Sequence, residues 1–483
     1  MRSWNASARR NAGFILPLAI FALLYLIPSL AGQAQESQPG AKLAQDERAR
    51  IDEIVRQALE QTGVPSVSVA VVKDGQIAYA QAYGAARLEP RAPARPEMRY
   101  SIGSISKQFT AAAVLLLAEQ GKLSLDDPVA KYIPDLTRAR EVTIRQLLSH
   151  TSGYQDYWPQ DYVPPIMTQP VAAERILDLW ARKPLDFPPG SKWEYSNTNY
   201  VIAGVIIERV SGMTLLEFLQ RRVFAPLKMQ RVENIDLRRL GETDATGYMR
   251  YALGPPRVAP KEGPGWLFAA GELAMPADEL AKWDISLIKQ QLLQPASYKE
   301  METEVKLNDG RGTGYALGLS VGNVSGHRVV RHGGEVSGFT AQNLVFPDDA
   351  VAVIVLTNQD ANGASGSIAR QISNLLLTPP NPSNARKLEQ MRKIFADFQQ
   401  GKIDRSLFTD NANAYFTTQA VQDFAASLAP LGEPREFTAL GEQGRGGMIS
   451  RNYRVTFPKQ VLSISTYEMP DGKLEQYLVS PAN

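Results

Sequence analysis

A serine three residues ahead of a lysine, in Ser104-Ile105-Ser106-Lys107, is where side chains of this sequence could do covalent chemistry. The apolar run from Phe109 to Leu117 follows and Gly121 stops it, so Ser104 is predicted at the start of a helix. Positions three apart share a face of the first turn, and the Lys107 ammonium then reaches the Ser104 hydroxyl. A serine hydroxyl is a poor nucleophile near neutral pH and needs a base within hydrogen-bond distance. Lysine can serve if its pKa falls, and burial in a cleft and the positive end of the helix dipole both lower it. The same N-terminus aims the Ser104 backbone N–H at a developing oxyanion. Taken alone, the tetrapeptide also reads as an N-cap serine followed by a solvated lysine.

Two further stretches supply partners. Phe187 to Asn197 carries Tyr195-Ser196-Asn197 on a loop, which by itself reads as a buried aromatic beside a turn-forming Asn. Val330-Arg331-His332-Gly333-Gly334-Glu335 reads as a strand ending in two glycines, or as an ordinary loop. In this order and spacing the three stretches resemble the serine beta-lactamase and penicillin-binding protein superfamily, particularly the branch with class C beta-lactamases, esterases and D-amino-acid peptidases. Leu147-Leu148-Ser149-His150-Thr151-Ser152-Gly153 and Ala269-Ala270-Gly271-Glu272-Leu273 add to the likeness, which covers about Asp46 to Leu377.

The resemblance implies that Ser104 is the acylated serine, Lys107 the lysine beside it, Tyr195 the proton shuttle and Asn197 the amide that holds substrate. Free phenol titrates near pH 10, so Tyr195 needs a nearby cation to ionise, and Lys107 is the candidate. Either group serves as base at this stage, and the two titrate as a coupled pair. The commonest family pattern has Lys-Thr-Gly where this chain has His332, Gly333 and Gly334 as substrate-binding residues. A cation that attracts a substrate carboxylate is thus missing, which ranks beta-lactams behind esters and D-amino-acid peptides as substrates. Glu335, next along the strand, is expected to give a second oxyanion N–H beside that of Ser104.

These residues need a frame. The 483 residues are 44% hydrophobic, enough for a real core. The expected fold class is α/β: a beta-lactamase-like antiparallel sheet flanked by helices, with a helical lobe. Ile51, Ile54, Val55, Ala58 and Leu59 suggest a helix closed by Gly63, leading into strands Val67 to Val72 and Ile77 to Ala82 around Lys73-Asp74-Gly75. The matching strands, Leu344 to Phe346 and Val351 to Leu356, lie far along the chain, so the sheet is expected to draw on both ends of a domain at 46–378. Pro379-Pro380-Asn381-Pro382 opens a stiff linker at 379–384, and Asn384 is a candidate helix cap. Beyond it, 385–483 reads as a small α+β module with two helices and four strands, in an order like the cone-shaped folds related to nuclear transport factor 2. Substrate gating or a structural role is expected for it.

Arg2, Arg9 and Arg10 ahead of the uncharged run Phe14 to Leu30, with Gly32 and Ala34 after it, read as a secretory signal peptide at 1–34. An uncleaved anchor is the alternative, against which Pro17 and Pro28 interrupt the run. A secreted or periplasmic enzyme follows, with no stable span once the leader is gone. The absence of cysteine excludes disulfides, thiolate metal sites and a Cys nucleophile. With 52 Lys and Arg against 50 Asp and Glu, nucleic acid is not an expected partner; a small ester, peptide or beta-lactam, or a cell-wall peptide, is.

Rival centres are weaker. Gly318-Leu319-Ser320-Val321-Gly322 fits G-x-S-x-G, but a turn rather than a helix follows it. Only His150, His327 and His332 could complete a triad; His150 reads as structural, and their scatter argues against a metal. The chemistry requires no cofactor. A penicillin- or peptidoglycan-binding protein without turnover is the other class of function, though a pure binder has no need of Ser104, Lys107 and Tyr195 together.

Overall fold

Val67 to Val72 and Val351 to Leu356 are apolar at nearly every position, as suits strands covered on both faces. They pair antiparallel, Val67 opposite Thr357 and Val72 opposite Ala352. Around them runs a seven-stranded antiparallel sheet in the order Ala92–Pro93, Gln76–Arg87, Ser66–Lys73, Val351–Thr357, Phe339–Phe346, His327–Val336, Ser320–Val324. The computed structural model describes residues 42–160, 162–377 and 381–482; the expected leader at 1–34 lies outside the described residues, as do Pro379 and Pro380. Asp74 and Gly75 turn the first hairpin with φ of 53° and 66°, the left-handed pair such a tight turn requires.

Strand alternation splits the central apolar residues between two layers. Val67, Val69, Val71, Val353 and Val355 pack with the helices Gln45–Thr62 and Ala364–Leu376. Ala70, Val72, Ala352, Ile354 and Leu356 face the helix Ala277–Lys289 and the helical lobe. Ile354 is 0% exposed, so Ile354→Ala removes contacts on every side and leaves a void. A loss of about 2–5 kcal/mol is expected, read as a lower urea midpoint at unchanged slope. A change below about 0.5 kcal/mol, the size of a surface substitution, would mean this layer is not packed as described.

The helix Ser106–Glu119 lies at the centre of the lobe and is buried at every position from Ser106 to Leu117, the property of a helix that is apolar nearly all round. Phe109 sits 4.8 Å from Trp283 and 5.6 Å from Phe224, ring centre to ring centre. A buried polar chain sets its height against the sheet. Trp283 Nε1 donates to Gln108 Oε1 (2.7 Å), Gln108 Nε2 to Asn343 Oδ1 (2.9 Å), and Asn343 Nδ2 to both oxygens of Asp284 (2.8 and 2.7 Å). A fully bonded buried chain of this kind specifies one alignment, because any shift leaves polar groups unpaired.

Ser104 does not open the α-helix. It sits on a 3-10 turn, Gly103–Ile105, that runs straight into Ser106–Glu119. Gly103 makes the turn possible: its φ is 51°, and a Cβ there would fall 2.7 Å from the Glu335 nitrogen. In 3-10 geometry positions i and i+3 eclipse, which sets Lys107 still more directly over Ser104.

The carboxy-terminal region has its own core. Helices Asn381–Gln399 and Thr418–Leu428, with the short Asp410–Tyr415, pack on a four-stranded antiparallel sheet of Glu436–Arg445, Met448–Thr456, Val461–Glu468 and Leu474–Pro481. Phe398 is its hub, 4.6 Å from Phe424 and 5.0 Å from Phe416. The helix begins at Asn381, so the stretch expected as a linker to residue 384 is helical from there on. Pro382 falls in the first turn, where an N–H has no intrahelical acceptor and its loss costs nothing. The edge strand Glu436–Arg445 approaches Ser320–Val324, the edge strand of the larger sheet.

Candidate active site

Lys107 is 0% exposed, and its Nζ reaches three oxygens: Ser104 Oγ at 2.9 Å, Asn197 Oδ1 at 2.8 Å and the Ala270 carbonyl at 2.8 Å. The last belongs to the Ala269 to Leu273 string, held in place by Thr110 Oγ1 donating to the Ala269 carbonyl (2.7 Å) and by the Ala269 N–H donating to buried Glu272 (3.2 Å). Burial pushes the Lys107 amine down to about 7, with Asp156 opposing. An amine that would otherwise stay charged is thereby poised to take a proton at neutral pH.

Tyr195 and Asn197 arrive together at the start of the helix Asn197–Ser211. The Lys107 Nζ lies 5.0 Å from the centre of the Tyr195 ring. The Tyr195 hydroxyl is shielded from solvent and makes no aligned hydrogen bond with a described residue. Burial pushes the phenol up, Ser104 is close enough to oppose this in part, and Asp156 adds to the rise. The amine and alcohol are therefore in bonding contact, and the phenol lies beside them short of bonding alignment. Asn197 is bonded on both ends of its amide: Oδ1 accepts from Lys107, and Nδ2 donates to Asp156 at 3.2 and 3.3 Å.

His332 is buried on the strand His327–Val336. Its Nδ1 bonds the Gly333 carbonyl at 2.5 Å, which can only accept, so Nδ1 carries the proton; Nε2 then accepts from Tyr315 at 2.8 Å. Burial and the nearby Lys107 push it down to about 4. It is a neutral imidazole near pH 7. His150, with φ of 59°, takes the Ser196 N–H on Nδ1 at 3.1 Å and lies 4.2 Å from the Tyr195 ring centre, a bracket for the tyrosine in keeping with a structural role.

The glycines bring strand and turn together. A Cβ on Gly334 would fall 1.9 Å from the Ile102 carbonyl and 3.4 Å from the Ser104 nitrogen. Ser104, Tyr195, Asn197, His332, Gly333, Gly334 and Glu335 line one cavity of about 890 Å³, room for a small peptide or ester. Ser320 is elsewhere: it begins the edge strand Ser320–Val324, and no helix follows it.

A beta-lactamase family model matches residues 51–376. The chain belongs to the beta-lactamase family. It is 27% identical to penicillin-binding protein 4* of Bacillus subtilis over 396 residues, 78% of this chain and 84% of that protein. It is 30% identical to a D-aminopeptidase of Brucella anthropi over 330 residues, 67% of this chain and 61% of that protein. Among solved structures, a D-stereospecific amidohydrolase from Streptomyces is 29% identical with a TM-score of 0.57, covering 65% of this chain and 96% of that one. A penicillin-binding protein homologue from Pyrococcus abyssi, 23% identical with a TM-score of 0.62, shares the fold over 90% of this chain and 96% of its own.

As a member of this family the chain is a serine hydrolase. Two site residues have no counterpart in the sequence reading. Asp156 accepts the Asn197 N–H (2.9 Å) as well as its amide, and Tyr315 bonds Nε2 of His332. The hint for Asp156 was a lone acid in Gly153-Tyr154-Gln155-Asp156-Tyr157, directly after the Leu147 to Gly153 string. No comparable signal marks Tyr315.

Proposed function

We propose that the protein is an exported hydrolase that forms an acyl-enzyme on Ser104 and cleaves ester or D-amino-acid amide and peptide bonds. The observation that carries this reading is the 2.9 Å bond from a fully buried Lys107 to the Ser104 hydroxyl at the floor of an open cavity. Neutral Lys107 takes the Ser104 proton as Oγ attacks the carbonyl carbon. The backbone N–H groups of Ser104 and Glu335 stabilise the oxyanion. Collapse breaks the bond to the leaving alcohol or amine, which receives the proton through the Tyr195 hydroxyl. Water then attacks the acyl-enzyme, gives up its proton by the same route, and Ser104 leaves with its hydrogen restored. Lys107 is assigned as the base of the pair because burial pushes its amine down to about 7 and pushes the Tyr195 phenol up.

The relatives named as a D-aminopeptidase and a D-stereospecific amidohydrolase support amide substrates. A beta-lactam carboxylate finds no cation in neutral His332. Export rests on the leader; among the described residues no helix is long and apolar enough to cross a membrane. The decisive experiment is intact-mass measurement after exposure to a fluorophosphonate, a panel of nitrophenyl esters and a penicillin. A single adduct on Ser104, turning over with esters, is the expected result; no adduct with any of the three would sink the proposal.

The pH dependence follows from the direction of the Lys107 shift. The base must be unprotonated, so kcat/KM should rise with pH along an acid limb whose midpoint lies near the about 7 to which burial brings the amine. A profile flat from pH 5 to 9, within about twofold, would exclude Lys107 as the titrating base.

A further inference from the structure

A neutral lysine amine has two hydrogens and one lone pair, and only the lone pair can take a proton. Around Lys107 Nζ stand Ser104 Oγ (2.9 Å), Asn197 Oδ1 (2.8 Å) and the Ala270 carbonyl (2.8 Å). The two carbonyl oxygens can accept but not donate, so they take both hydrogens of the neutral amine. Its lone pair is left facing Ser104 Oγ, the one neighbour of the three with a proton to give.

That outcome depends on which end of the Asn197 carboxamide faces the amine. Turned over, the carboxamide would present Nδ2, whose hydrogens would engage the lone pair and leave the Ser104 proton without an acceptor. Asp156 selects between the two orientations. Its Oδ1 is anchored by the backbone N–H groups of Trp158 (3.2 Å) and Asn197 (2.9 Å), and Asn197 Nδ2 lies 3.2 Å from Oδ1 and 3.3 Å from Oδ2. A carboxylate only accepts, so it holds the nitrogen end of the carboxamide and sends the oxygen end to Lys107. Burial pushes the Asp156 carboxyl up, while the two backbone N–H groups and the Lys107 charge pull the other way. Tyr195, Tyr200, His150 and His332 also surround the amine. Among the described residues, however, only Lys107 and Asp156 bond the Asn197 carboxamide.

We propose that Asp156 is a positioning residue for the base: it fixes the Asn197 carboxamide, which in turn aims the lone pair of Lys107 at the Ser104 hydroxyl. This rests on acylation of Ser104 with Lys107 as base, and it gives Asn197 a duty other than the substrate contact that the resemblance implies.

The test follows the rate at which a fluorophosphonate labels Ser104, against reagent concentration and pH, a reaction that needs the activated hydroxyl and no deacylation. Asp156→Asn has the same shape. Its oxygen stays with the two backbone N–H groups, so its nitrogen replaces Oδ2 opposite Asn197 Nδ2; two donors then face each other and the Asn197 carboxamide turns over. The maximal labelling rate should fall at least about tenfold, with the half-saturating concentration unchanged within about threefold, because attack is impaired and binding is not. The acid limb should move to lower pH, since the negative charge that favours the Lys107 ammonium is gone. A general loosening of the pocket predicts neither the split nor that shift.

Asp156→Asn combined with Asn197→Asp supplies the rescue. A carboxylate at 197 offers Lys107 an acceptor in either orientation. Labelling on the high-pH plateau should return to within about threefold of wild type, along a limb moved to higher pH because a negative charge now touches the amine. Labelling of Asp156→Asn within about twofold of wild type would overturn the proposal, as would a loss confined to the half-saturating concentration or a double variant without recovery. If the wild type is labelled and any of these results is found, this inference alone fails; if the wild type is not labelled at Ser104, the hydrolase reading fails with it.

Discussion

Ser104→Ala is expected to lose at least about 10³-fold in turnover of p-nitrophenyl acetate and all covalent labelling by a fluorophosphonate. In the proposed mechanism the hydroxyl forms the acyl bond, and nothing else on the 3-10 turn can replace it. Lys107 stays in place in this variant, still bonded to Asn197 and Ala270, so the pocket keeps its shape and the loss reports the missing oxygen. Intact mass separates the possibilities. A persistent adduct mapped to Lys107 would show that the amine itself is the nucleophile and would reverse the assigned roles.

The second large effect belongs to that lysine. Lys107→Met keeps an unbranched apolar chain of similar length and removes the proposed proton acceptor; a general base contributes about 10²–10⁴-fold to the rate, and a loss of that size is expected. Lys107→Arg should not rescue it, since a guanidinium stays protonated in proteins. The pH profile is the sharper readout. The acid limb near neutrality should vanish together with the rate, leaving a residual activity that no longer follows a group in this range. Should Lys107→Met keep the limb, the titrating base lies elsewhere in the cavity, and Tyr195 becomes the candidate.

How much of this could be read from the chain depended on how local each signal was. Ser104 and Lys107 are three residues apart, so any helical turn brings them together. The sheet was equally open to reading, because the valine-rich, nearly all-apolar runs at 67–72 and 351–356 admit few other structures. What failed was the detail set by tertiary contact. The turn at Ser104 is 3-10 because Gly103 passes under the Glu335 backbone, an encounter with a strand more than two hundred positions away. Asp156 is not legible in the sequence because its bond is to Asn197, 41 positions along, with no fixed spacing to announce it. His332 was recognised as replacing a cation, but its neutral state depends on burial and on Lys107, neither of which composition reveals. The prolines before Asn381 pointed to a linker since a ring nitrogen cannot donate; the helix tolerates Pro382 only because of its place in the first turn.

One contact between the two sheets bears on how the molecule behaves in company. A strand at the margin of a sheet exposes unpaired amides and carbonyls, an invitation to a neighbouring molecule to add its own strand. Here Glu436–Arg445 stands alongside Ser320–Val324, next to the His327–Val336 strand that carries His332 and the paired glycines. The last hundred residues thus lay a strand of their own along that flank, in the place where a foreign strand would otherwise add.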